Sequence, residues 1–143
     1  MDKKIVDLTD ASELERAFPV LKELRPHLDF SDFKEIYEQA RGSDGYRLVA
    51  IEKDEKFVAL MGFRFLSDFV RGRHLYIDDL VSTESMRSKG YGSDLLKYAE
   101  QVARESKCKS LRLCTGVENE RGVKFYEDNG WTRRSYAYVK KMS

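Results

Sequence analysis

Residues 87–92, Arg-Ser-Lys-Gly-Tyr-Gly, bring two glycines and two cations together within six positions. The run lies between a strand-like stretch and a helix-like one. The first N–H groups of a helix have no acceptor inside the helix, and the helix dipole adds partial positive charge behind them. Glycine lets an anion approach the backbone closely and permits positive φ. Arg87 and Lys89 add formal charge. Such a loop can cradle a diphosphate; it can equally be a tight turn between two basic surface residues. Two better-known phosphate loops do not fit. No GK[ST] ending of a Walker A loop is present, and a GxGxxG fingerprint would need glycine where Leu95 stands.

A second group with chemical capacity is the pair Asp78-Asp79, in the strand-like stretch 73–81. Neighbours on a regular pleat point to opposite faces, so one of the two is expected on each side of the sheet. A carboxylate beside an amine can take its proton directly or through water. It can also serve as acidic lining or as a structural acceptor. Cys108 and Cys114 are expected to be buried, reduced thiols, and His27 and His74 stand far from them, so no metal set is expected.

The elements that must carry these groups follow from periodicity. Residues 3–8 read as a strand, and Thr9, Asp10 and Ser12 can cap the helix after it. Leu14, Ala17, Phe18, Leu21 and Leu24 recur at helical spacing over residues 11–24, with a break or bend expected near Pro19. A second helix is expected after a Ser31 or Asp32 cap. It carries Phe33, Ile36, Tyr37 and Ala40 and stops at Gly42. The period then becomes two. Residues 46–53 and 56–66 form a hairpin about Asp54-Glu55, and 73–81 a further strand. A helix over 91–105 buries Leu95, Ala99, Val102 and Ala103, with Tyr98 beside them. Then come a strand at 110–115, a helix over 119–129 capped by Asn119 and ended by Gly130, and a last strand at 132–141. Antiparallel hairpins followed by a βαβ unit define a mixed α/β chain.

The chain has 143 residues and no Pro/Gly/Ser-rich linker, and so is expected to be one domain over residues 1–143. There are 26 Lys plus Arg against 25 Asp plus Glu, a net charge of +1. That balance argues against nucleic acid and anionic membranes as partners, including through Arg71, Arg73, Arg87, Lys89, Arg133 and Arg134. The N-terminus lacks an apolar signal region and no span suits a bilayer, so a cytoplasmic location is expected.

Three ordered pieces together resemble the GNAT superfamily of N-acetyltransferases. Arg87-x-x-Gly90-x-Gly92 is similar to its Arg/Gln-x-x-Gly-x-Gly/Ala loop. Residues 75–81 resemble its fourth strand. Asn119, Phe125-Tyr126 and Gly130-Trp131 resemble its N…FY…GF stretch, with Trp in place of Phe. The surroundings of Asp78-Asp79 and Asn119 look more loosely like diamine acetyltransferases. The resemblance implies a mixed, mostly antiparallel sheet of six to seven strands, splayed between strands 4 and 5 and flanked by about four helices. It implies acetyl-coenzyme A as cosubstrate and no metal. The cosubstrate's pyrophosphate would lie on Arg87, Ser88, Lys89, Gly90, Tyr91, Gly92 and Ser93. Its pantetheine arm would pair with strand 4 near Leu80, Val81 and Thr83, with Asn119, Phe125 and Tyr126 completing the set.

The implied reaction is direct attack by a primary amine, of a small molecule or a protein, in a ternary complex. An amine of pKa about 10.4 costs roughly 4.6 kcal/mol to deprotonate at pH 7. Asp78 matches a position where relatives often carry a glutamate base. It is one methylene shorter, which favours a water relay. A backbone N–H near Val81, freed by a bulge in family members, would polarise the thioester. Tyr126 would support the leaving thiolate. A phenol lies about 1.5 pKa units above a thiol, roughly 2 kcal/mol uphill for full proton transfer. A non-catalytic module that binds coenzyme A for regulation is the alternative, and a homodimer is compatible with either.

Overall fold

The protein is described by a computed structural model over residues 3–87 and 89–142. Strand β1 (Lys3–Asp7) leads through Leu8 to helix α1 (Ala11–Leu24). Asp10 caps α1 by accepting from the Glu13 N–H at 2.9 Å. Glu13 reaches back to the Asp10 N–H, a reciprocal capping box. Helix α1 continues through Pro19 without a break. Leu14, Ala17, Val20 and Leu21 are buried on both sides of it. Pro19 itself is exposed, so the Glu15 carbonyl that it leaves without a partner faces water.

Helix α2 (Phe30–Asp44) begins two or three residues earlier than expected. Its cap is Asp29, which accepts from the Asp32 N–H at 2.8 Å. It also runs past Gly42. The stop is Gly45, which takes φ +67, while the Tyr46 N–H closes on the Ala40 carbonyl at 3.2 Å. Strands β2 (Arg47–Lys53) and β3 (Lys56–Asp68) meet at Asp54 and Glu55, whose φ values of 52° and 62° make the expected two-residue turn. Strand β4 (Gly72–Ser82), a short 3-10 turn (Glu84–Met86), helix α3 (Tyr91–Glu105), strand β5 (Ser110–Leu113) and helix α4 (Glu120–Asp128) follow.

Among the described residues the sheet has five strands in the order β1-β2-β3-β4-β5, antiparallel through β4 and parallel between β4 and β5. The six to seven strands expected are therefore too many. Residues 132–142 form neither helix nor strand. Tyr136, Tyr138 and Val139 favour strands, but that preference depends on a pairing neighbour, and all three are exposed.

The chain divides into two compact units between Arg112 and Leu113. In the first, α1 and α2 cover one face of the sheet. Leu14, Leu21, Phe33 and Tyr37 pack there with Leu48, Ala50, Leu60 and Val81. Helix α3 buries Leu95, Leu96, Ala99, Val102 and Ala103. Cys108 and Cys114 are free, as expected, but neither is buried; Cys114 is exposed just beyond β5. Among the described residues no helix is long and apolar enough to cross a membrane.

Candidate active site

Strand β4 carries one residue more than β3 can pair. Ile77 lies opposite Phe63 and Asp79 opposite Gly62, leaving Asp78 as a bulge. This is why the expectation of opposite faces fails: Asp78 and Asp79 line the same cavity. The reversal extends along the strand. Val81 joins the cluster under α1 and α2, whereas Leu75 and Ile77, also buried, do not.

Both carboxylates are held. Arg64 grips Asp78 with two parallel bonds, Nε to Oδ2 at 3.1 Å and a terminal nitrogen to Oδ1 at 3.0 Å. Its other terminal nitrogen reaches Asp44 at 3.3 Å. Arg25 donates to Asp79 Oδ1 at 3.1 Å and to the Asp78 backbone carbonyl, also at 3.1 Å, so it satisfies the acceptor that the bulge exposes. The Tyr46 hydroxyl donates to Asp79 Oδ2 at 2.7 Å. Tyr46 lies directly over Gly62, where any Cβ would fall inside its ring and hydroxyl. Burial pushes the Asp78 carboxyl above its usual range, with Arg64 pulling the other way. Burial, then the charge of Asp79, drives the Tyr46 phenol well above its ordinary value.

These groups form one end of a cavity of about 460 Å³, whose other walls come from α1, α2 and the segment between them. Sequence reasoning missed Arg25, Tyr46 and Arg64. A signal was present: Gly62 and Arg64 interrupt the otherwise apolar run of β3, and a glycine in a strand marks a bulge or a close approach.

The register break lies at Asp78, three residues before the position near Val81 where a bulge was expected. Beyond it pairing is regular. The Thr83 N–H donates to the Val58 carbonyl at 2.9 Å. Alternation along an antiparallel pair then turns the N–H of Val81 toward β3 and those of Leu80 and Ser82 toward the outer edge. Strand β5 enters opposite Arg73, where the Lys109 N–H meets the Arg73 carbonyl at 2.9 Å, and its four residues end well short of Leu80.

In the glycine loop, Arg87 and Lys89 are exposed, and Ser88 lies outside the described residues. Gly90 takes φ +86 as the residue before α3 and, as a glycine, offers no capping side chain of its own. The N–H groups of Tyr91 and Gly92 in the first turn have no acceptor within the helix, a fitting cradle for a phosphate oxygen. Ser93 follows on the same turn, and the Tyr91 ring is buried beneath.

The second unit carries the remaining expected residues. Asn119 caps α4, accepting from the Gly122 N–H at 3.1 Å and donating to Thr115 Oγ1 at 3.0 Å. Phe125 and Tyr126 pack edge to face at 5.3 Å, and Trp131 lies 6.1 Å from Tyr126. Burial raises the Tyr126 phenol above its ordinary pKa. Among the described residues no group of three or more His, Cys, Asp or Glu side chains could hold a metal ion.

Residues 9–131 match the acetyltransferase (GNAT) family. The chain is 34% identical to the uncharacterized N-acetyltransferase YhdJ of Bacillus subtilis over 136 residues, 94% of this chain and 96% of that protein. It is 24% identical to the thialysine N-epsilon-acetyltransferase of Bos taurus over 78% of this chain and 74% of that one. Its fold resembles that of an aminoglycoside N-acetyltransferase solved in complex with CoA, with a TM-score of 0.86 at 16% identity, covering 99% of this chain and 96% of the other.

Proposed function

The chain belongs to the GNAT family of acetyltransferases, and on that premise we propose that it moves an acetyl group from acetyl-coenzyme A to a primary amine seated in the cavity beside Asp78. The observation that carries this reading is the bulge, which puts two carboxylates in one cavity immediately upstream of a strand edge left open by β5.

The glycine loop receives the pyrophosphate on the backbone of Tyr91 and Gly92, with Arg87 and Lys89 supplying charge. The pantetheine arm extends along the outer edge of β4, where Leu80 and Ser82 offer N–H groups. One of these, rather than Val81 itself, donates to the thioester oxygen as negative charge develops. The amine nitrogen attacks the carbonyl carbon, the C–N bond forms and the C–S bond breaks. The proton lost by the amine passes to Asp78 or to a water it holds. Burial helps here, because a carboxyl lifted above its usual range accepts a proton more readily at neutral pH. Its bidentate bond to Arg64 favours the water relay over direct contact. Support of the leaving thiolate falls to Tyr126, the role that this tyrosine's place in the family pattern implies.

The test is release of coenzyme A by the purified chain with acetyl-coenzyme A and a panel of amines. Tyr126→Phe should lower kcat by about a hundredfold or more with little change in acetyl-coenzyme A affinity. Unchanged turnover removes Tyr126 from the acid role. Binding of acetyl-coenzyme A without turnover of any amine would instead indicate a regulatory module.

A further inference from the structure

Asp29, Asp32, Asp68, Asp78 and Asp79 could each attract a cation by type, but the fold employs them differently. Asp29 caps α2. Asp32 lies in the first turn of that helix, and Asp68 bonds Arg71 at the β3–β4 turn. Only Asp78 and Asp79 reach the cavity, each already holding an arginine. The cavity contains the carboxylates of Asp44, Asp78 and Asp79 against the guanidinium groups of Arg25 and Arg64, leaving one net negative charge with His27, also on the lining, counted neutral. One ammonium balances it; a second does not.

The remaining wall is mostly apolar: Leu21, Leu28, Phe33, Ile36, Tyr37 and Ala40. Ile36 is 51% exposed, a large aliphatic side chain on the cavity lining that the fold leaves half uncovered. An apolar ligand body would remove that surface from water, whereas an ammonium placed there would be desolvated without a partner.

We infer that the acceptor is a monoamine with an apolar aliphatic or aryl body, and that polyamines are discriminated against. The inference rests on the transferase reading and narrows its substrate class. The amine is drawn to the Asp78–Asp79 end, and its body lies along the α1–α2 wall.

The matched pair hexylamine and 1,6-diaminohexane tests it, because the two have nearly equal length and differ at the far end. Hexylamine should show a kcat/KM at least about tenfold higher, since the far end exchanges apolar burial for an unpaired charge. Ile36→Glu adds a carboxylate to this wall at a half-exposed position. It should shift the ratio toward the diamine by about tenfold, with acetyl-coenzyme A affinity and the circular dichroism spectrum unchanged. Equal or better use of the diamine by the unmodified chain overturns the inference and leaves the transferase reading standing. So does a ratio indifferent to Ile36→Glu in a folded variant. Use of other amines but neither of these also overturns it. No turnover of any amine, with acetyl-coenzyme A bound, overturns both.

Discussion

Adding one methyl group at Gly62 should be costly, although the same change in most strands is favourable. Glycine in a strand interior is normally worse than alanine by about 0.5–1 kcal/mol, because it loses more backbone freedom on folding. Gly62 has no positive φ, so its backbone would accept alanine. The obstacle is Tyr46, whose ring and hydroxyl occupy the place of the new Cβ. If the ring stays, overpacking costs about 1–3 kcal/mol. If it leaves, the 2.7 Å bond to Asp79 is lost, about 1.5–3 kcal/mol for a bond to a charged group. Whichever way the ring responds, with the backbone gain subtracted, Gly62→Ala should destabilise by up to about 2.5 kcal/mol. Urea unfolding with linear extrapolation measures this. The decisive comparison is the Tyr46→Ala background. There the obstacle is gone, and Gly62→Ala should cost nothing or stabilise by up to about 1 kcal/mol. An equal cost in both backgrounds would refute the close approach as the cause.

Arg64→Met leaves Asp78 without the partner that opposes its upward shift, so the carboxyl should titrate at still higher pH. The fold then favours protonated Asp78, whose stabilising contribution is full below the ordinary carboxylate pKa and is lost as pH rises through the raised one. The variant should lose about 2–3 kcal/mol at neutral pH and recover part of it in acid, followed by urea unfolding across pH; a profile parallel to that of the unmodified chain would refute this. Gly90→Ala forces a side chain into the left-handed region and should cost about 1–2 kcal/mol by the same assay. It should also weaken acetyl-coenzyme A binding measured by calorimetry. Asp10→Ala removes the α1 cap and should cost about 1 kcal/mol, with Asp10→Asn restoring most of it.

What could be read in advance was local. Asp54-Glu55, the Asn119 cap and the glycine before α3 each express a preference within a few residues, and each is found where expected. Both boundaries of α2 were misjudged, whereas α1 spans the residues expected of it. Core contacts on both sides carry α1 through Pro19, and Gly42 sits inside α2 at a tolerable cost of about 1 kcal/mol. The cavity was the least legible part. Arg25, Tyr46 and Arg64 reach Asp78 and Asp79 from positions 14 to 54 residues away. The pairing that unites them depends on a register break that no periodicity reveals. Asp78 and Asp79 were singled out by type and wrongly placed by geometry, because alternation holds only while two strands advance in step.

The bulge at Asp78 also means that this site is written partly in the number of residues and not only in their kinds. Strand β4 spends one residue more than its neighbour between Ile77 and Asp79. Conservative replacements of Tyr76 or Leu80 keep that count. Deleting any single residue between them restores an even pleat and leaves only one carboxylate facing the cavity. A lineage could therefore drift in sequence here while its length stays constrained. A one-codon deletion would abolish what several substitutions leave intact.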